Sequence, residues 1–195
     1  MRSVNQILTK LLYLSPNRSL LYVTNTLDSG QPTHVFEQFS CFLPGLLALG
    51  VHSLPPSAFA TEPGLRNPAL QQLLTSYNLS DLHMWAALGL GESCWLMYAD
   101  QPTGLGPEEI FMRTQGTSFD QEDDTNLHNR ISGSGLWIYA LEDWRLSGEH
   151  GVPPGLEPKS PVSDLAERDY VVRKAEYLLR PEVRSWLKCC GCHPS

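Results

Sequence analysis

"HVFEQFSCFLPGLLALG", residues 34–50, sets Phe36, Phe39, Phe42, Leu43, Leu46, Leu47 and Leu49 at helical spacing, a stripe wide enough to be buried. Gly50 supplies a stop. Upstream, Val4, Ile7, Leu8, Leu11 and Leu12 in "VNQILTKLLYL" keep the same period, so the chain opens inside a helix. Between these two segments, "SLLYVTNTLDSGQPTH" holds a β-prone run from Leu20 to Thr24 and then the turn residues Asp28, Ser29 and Gly30. A small strand or hairpin is expected there. Downstream, Asn67-Pro68 suits the start of a helix running toward Tyr77, and Ser80-Asp81 suits the cap of another from about Leu82 to Ala99. The expected fold is therefore all-α, helices joined by long loops with short β-hairpins. Residues 114–168 differ: they are acidic, rich in Gly, Pro and Ser, and interrupted by one aromatic patch, "LWIYALEDW". They are expected to form mostly a long loop or insertion.

With 195 residues and 42% hydrophobic content, the chain is long and apolar enough for one domain with its own core. A net charge of -7 leaves no basic stripe to displace counterions, which excludes nucleic acid as a partner. No stretch reaches the roughly 18 consecutive apolar residues of a membrane span. Two sequons, Asn17-Arg-Ser and Asn78-Leu-Ser, are acceptors for an N-linked glycan if the chain enters the secretory pathway. Other patterns fail on chemistry. "GLGESC" (89–94) lacks the last glycine of a dinucleotide loop, and "SGSGL" has Ser132 where a nucleophile elbow needs glycine. "DQEDD" (120–124) lacks the central Gly and closing Glu of a calcium loop. In "CCGCH" the adjacent Cys189 and Cys190 do not give the paired spacing of a zinc site.

Three blocks remain: "CFLPGLLALG" (41–50), "TGLGPE" (103–108) and "YLLRPE" (177–182). In that order they resemble glycoside hydrolase family 47, the class I α-1,2-mannosidases. The likeness extends through "LLYVTNTLDSGQPTHVFEQFSCFLPG" and "GESCWLMY", so residues 1–182 are expected to be a partial catalytic domain and 183–195 a divergent tail. It implies an (α/α)7 barrel of helical hairpins, of which this chain supplies part. It also implies that Cys41 and Cys94 form a disulfide, with Cα atoms within about 7 Å as such a bridge requires.

The same resemblance assigns roles. It makes Glu182 the general base that activates water and Arg180 a contact to the sugar in the cleaved subsite. Pro181 restricts the backbone between them. Glu108 stands where the family places a glutamate of the pocket. Glu37 stands at the family's acidic position before the "CFLPG" block, with Gln38 where a His usually follows. The implied substrate is a high-mannose N-glycan, the reaction inverting, the cofactor calcium, and the compartment the endoplasmic reticulum or Golgi. An inverting glycosidase needs an acid on the leaving oxygen and a base holding water, with the carboxyl groups about 6.5–9.5 Å apart. In the family the acid lies before the region matching Met1, and the calcium-contacting Thr-Glu lies beyond Glu182. No metal ligand is therefore assigned within residues 1–195, and these residues alone are expected not to release mannose. Two rival readings stay open. Either another polypeptide supplies the missing helices, or the chain is a non-catalytic, lectin-like or regulatory relative. The stripe from Phe36 to Leu47 and the face with Trp85, Leu88 and Trp95 are the expected uncovered apolar surfaces.

Overall fold

In "ILTKLLYL" the helical period gives way to alternation, and the chain changes element at that point. A computed structural model describes residues 2–59, 68–114, 135–148 and 150–176. Helix α1 (Arg2–Lys10) ends in a turn and is followed by β1 (Leu12–Leu14) and β2 (Leu21–Val23). The two strands carry nearly the same sequence, Leu-Tyr-Leu and Leu-Tyr-Val, and pair antiparallel with Tyr13 opposite Tyr22. Aromatic and aliphatic side chains of this kind stabilise cross-strand pairs.

The stripe at 34–50 divides between three elements. Val35–Glu37 forms strand β3, Gln38–Cys41 a single 3-10 turn, and Phe42–Ser53 helix α2. His34, with φ at +56°, turns the chain out of any helix entering from upstream. Val35 and Phe36 then pair with β4 (Glu109–Met112), Phe36 opposite Ile110, and both of those side chains are buried. Long-range pairing overrides the helical period here. The division also splits the expected burial. Phe36, Leu47 and Ala48 are in the core, whereas Phe39, Phe42, Leu46 and Leu49 are exposed. Of the other expected apolar face, Trp95 is exposed and Trp85 and Leu88 are half-buried.

After α3 (Pro68–Thr75), the long helix α4 (Leu79–Ala99) forms the centre. It is apolar nearly all round, as a helix packed on several sides must be, and buries Leu82, Ala86, Ala87, Leu90, Leu96 and Met97. Its cap is Asn78, not the Ser80-Asp81 pair: Asn78 Oδ1 accepts the Ser80 N–H at 3.0 Å, which starts the helix earlier than the sequence suggested. Helix α2 lies along α4. Helix α5 (Trp137–Leu146) is formed by the aromatic patch inside the stretch expected to be a loop. Its Trp137 is fully buried and donates its indole N–H to the Pro154 carbonyl at 2.8 Å. An aromatic residue that finds a partner for its N–H can serve as core, and this ties part of 150–169 to the domain.

Strand β5 (Tyr170–Lys174) completes an antiparallel sheet in the order β3-β4-β5. The described fold is thus helical with two small sheets: the expected helices and short β-elements are present, and the three-stranded sheet β3-β4-β5 is added to them. The described residues do not show a full barrel. Cys189, Cys190, Cys192 and the rest of 183–195 lie outside them.

Two buried carboxylates fasten β5 and the segment before it. Asp169 accepts from Ser15 Oγ at 2.6 Å, from the Asn17 and Arg18 backbone N–H groups at 2.9 and 2.6 Å, and from Asn17 Nδ2 at 2.8 Å. Asp100 pairs with Arg18 at 2.7 Å and accepts from Val162 N at 2.8 Å and from the Tyr170 hydroxyl at 3.0 Å. Tyr170→Phe should cost about 1–2 kcal/mol, because one donor to a buried carboxylate is lost while the others remain. Urea unfolding measures it, and an unchanged midpoint would contradict the role given to the hydroxyl.

Two buried histidines predict an acid limb. Burial lowers both His34 and His83 to about 4. Their folded values lie below the unfolded value of about 6.5, so the unfolded chain takes up protons first as pH falls. Their contribution to stability is complete above about pH 6.5 and is lost on the way down to about pH 4. Urea midpoints should therefore fall between pH 7 and pH 5, before most carboxylates titrate. A flat profile over that range would show that the histidines take up protons in the folded chain as readily as in the unfolded one.

Candidate functional site

"TGLGPE" can be read residue by residue in three dimensions. Gly104 has φ at +68°, a left-handed conformation that suits glycine and turns the chain after α4. At Gly106 an added Cβ would stand 2.8 Å from the Tyr98 ring, so only glycine lets the segment cross that ring. Pro107 and Glu108 follow, both buried, and β4 begins at Glu109. The motif therefore delivers Glu108 to the start of a strand between two neighbours. Gln38 N–H donates to the Glu108 carbonyl at 2.8 Å, and Glu108 N–H donates to the Lys174 carbonyl at 3.0 Å.

Glu37 ends β3 directly opposite Glu109. Its Oε1 accepts from Asn25 Nδ2 at 2.6 Å. Asn25 is itself held, its carbonyl accepting the Thr33 N–H at 2.9 Å across the hairpin that the turn residues promised. The next residue, Gln38, is fully buried, and its amide donates to the Tyr98 hydroxyl. The backbones of the two sequence-assigned glutamates thus lie at one sheet end, Glu37 half-buried on the face it shares with its partner Glu109 and Glu108, one residue earlier, buried on the other.

The Cys41–Cys94 disulfide fixes this geometry. Its Cα atoms are 5.9 Å apart, as the sequence reading required, and both cysteines are buried. It joins the 3-10 turn that follows Glu37 to α4, one helical turn before Tyr98. On the far side, β5 carries a bulge opposite Glu109 and Ile110, which turns Arg173 toward Glu109 with 3.7 Å between Nη1 and Oε2. Bulges commonly re-aim side chains beside active sites. The sequence reading missed Asn25, Tyr98 and Arg173. Only Tyr98 had a signal, since it lies four residues after Cys94 and hence on the same helix face.

Arg180 and Glu182 lie outside the described residues. The described part offers carboxylates, amide groups and guanidinium N–H groups at one sheet end, a set suited to sugar hydroxyls. Among the described residues no group of three or more His, Cys, Asp or Glu could hold a metal ion, and no helix is long and apolar enough to cross a membrane.

The sequence model of glycosyl hydrolase family 47 matches residues 1–185. The chain belongs to this family. Membership makes it a chain of glycosidase type with a glycan as ligand. The match spans Glu37, Glu108, Arg180 and Glu182, and also the stretch 114–168 in which α5 lies. No curated protein matches the chain.

Proposed function

We propose that this family 47 chain serves an inverting, calcium-dependent α-1,2-mannosidase that trims terminal mannose from high-mannose N-glycans. The observation that carries the reading is the family 47 match over residues 1–185, within which the Gln38–Glu108 backbone bond sets the backbones of Glu37 and Glu108 side by side at one sheet end. In this reading Glu182 accepts the proton of the attacking water. Arg180, Glu108 and Glu37 hold sugar hydroxyls. Calcium, when bound, would help hold the sugar and the attacking water, its ligands coming from outside the described residues. A buried disulfide persists in oxidising compartments, which supports the secretory pathway as the setting.

One observation favours a second reading, a non-catalytic mannose-binding protein. Gln38 occupies the family's His position and spends its amide on Tyr98, so a titratable ring is replaced by a fixed neutral contact. Titration with an α-1,2-linked mannose oligosaccharide, beside an assay of released mannose, both on the protein from its native source, separates the two. Binding with release supports the hydrolase, and binding without release supports the second reading. Absence of both overturns both. Within either reading Asn25 orients Glu37, and Asn25→Ala should weaken binding about 3–10-fold, the worth of one charge-assisted hydrogen bond of about 1 kcal/mol at a partly exposed site. Unchanged affinity would show that the Asn25 hydrogen bond does not orient Glu37 for the sugar.

A further inference from the structure

The two atoms of the Asn78 amide have different situations. Oδ1 caps α4 through the Ser80 N–H, while the residue is exposed and, among the described residues, its Nδ2 makes no hydrogen bond. Asn78-Leu79-Ser80 is also an acceptor sequence for N-linked glycans, with no proline in the middle position. Asn17, in the other sequon, is committed elsewhere: its Nδ2 donates to Asp169 Oδ1 at 2.8 Å and its backbone N–H to Oδ2 at 2.9 Å. Asp169 has no exposure to water.

We propose that Asn78 carries an N-linked oligosaccharide and that Asn17 does not, an inference that rests on the secretory setting proposed above. The donor is an oligosaccharide on a lipid pyrophosphate. Asn78 Nδ2 forms a bond to the sugar C1, the C1–O bond breaks with its electrons leaving on the pyrophosphate, and Nδ2 gives up one proton. Oδ1 takes no part, so the cap on Ser80 survives the modification. A glycan on Asn17 would instead crowd the amide that completes the hydrogen bonding of a buried carboxylate, where lost donors are costly.

The test places the full chain behind a cleavable secretory leader in a eukaryotic host and reads glycan occupancy in total cell protein by peptide mass after enzymatic deglycosylation in heavy-oxygen water. Label is expected at position 78 and absent at position 17. Both Asn78→Gln and Ser80→Ala should abolish the mass shift; Ser80→Ala retains the backbone N–H that Asn78 caps, so its loss of glycan does not follow from a disturbed helix. Label at position 17, no label at position 78, or an unchanged shift in Ser80→Ala would overturn the proposal. Because the leader supplies entry, an unmodified chain in this experiment speaks against the site. Label in this experiment with none on the protein from its native source would instead speak against the secretory setting.

Discussion

The double variant Cys41→Ala/Cys94→Ala is expected to lose about 4 kcal/mol of stability, the loop-closure value for a bridge spanning 53 residues of sequence. For a domain of this size that is a fall in Tm of roughly 8–16 °C. Two separate effects contribute. The reduced unfolded chain regains the freedom of the segment from the 3-10 turn to α4, which includes all of α2. In the folded state each buried sulfur atom is replaced by a hydrogen, which leaves small voids in the cluster that also holds Leu96 and Met97. A functional consequence accompanies the thermodynamic one. With the covalent tie gone, only noncovalent contacts, among them the Gln38–Tyr98 hydrogen bond, fix the turn after Glu37 to α4. The variant should therefore bind mannosides more weakly even at temperatures where it remains folded. Scanning calorimetry of the oxidised wild type against the variant measures the first effect. A Tm within about 2 °C of wild type would mean that tertiary packing alone holds this junction.

The parts of the fold legible in sequence are those in which local period and tertiary contact agree. Helix α4 is apolar for its whole length, so burial on any side extends the same helix, and its existence follows from composition. The segment 34–50 shows the opposite case. Phe36, Phe39 and Phe42 do fit one helical face, yet His34 turns the chain and β4 captures Val35 and Phe36 from a distance of more than 70 residues. No local window contains β4. The same holds for the site. Glu108 and Glu37 were found by motif, but their adjacency depends on the Gln38–Glu108 backbone bond, and Arg173 reaches Glu109 only because β5 bulges. Residues 114–168 looked like loop because Gly, Pro and Ser dominate their composition. Among what holds 150–169 in place are part-buried polar bonds, to Asp100 from Val162 and from Trp137 to Pro154, which leave no apolar period to read.

Glu182→Gln should reduce kcat for mannose release from an α-1,2-linked substrate by about 10²–10⁴ while changing KM little. Glutamine keeps the size and planarity of glutamate, so contacts that merely hold the sugar are retained. It cannot accept a proton, so the water that attacks the anomeric carbon is no longer activated. A group that acts only in the transition state changes kcat and kcat/KM together, and this separates Glu182 from the sugar-holding residues. Glu108→Gln is the matched control. In the proposed reading Glu108 is a sugar contact delivered by "TGLGPE" to the start of β4, so its variant should raise KM more than it lowers kcat. The proposed inversion gives a second readout. Water attacking from the face opposite the leaving oxygen releases β-mannose first from an α-linked substrate, and NMR taken before mutarotation observes it directly. The measurements belong on the protein from its native source, in the assembly in which it acts. Glu182→Gln turnover equal to wild type would take the base role from Glu182, and α-mannose as the first product would overturn the inverting mechanism.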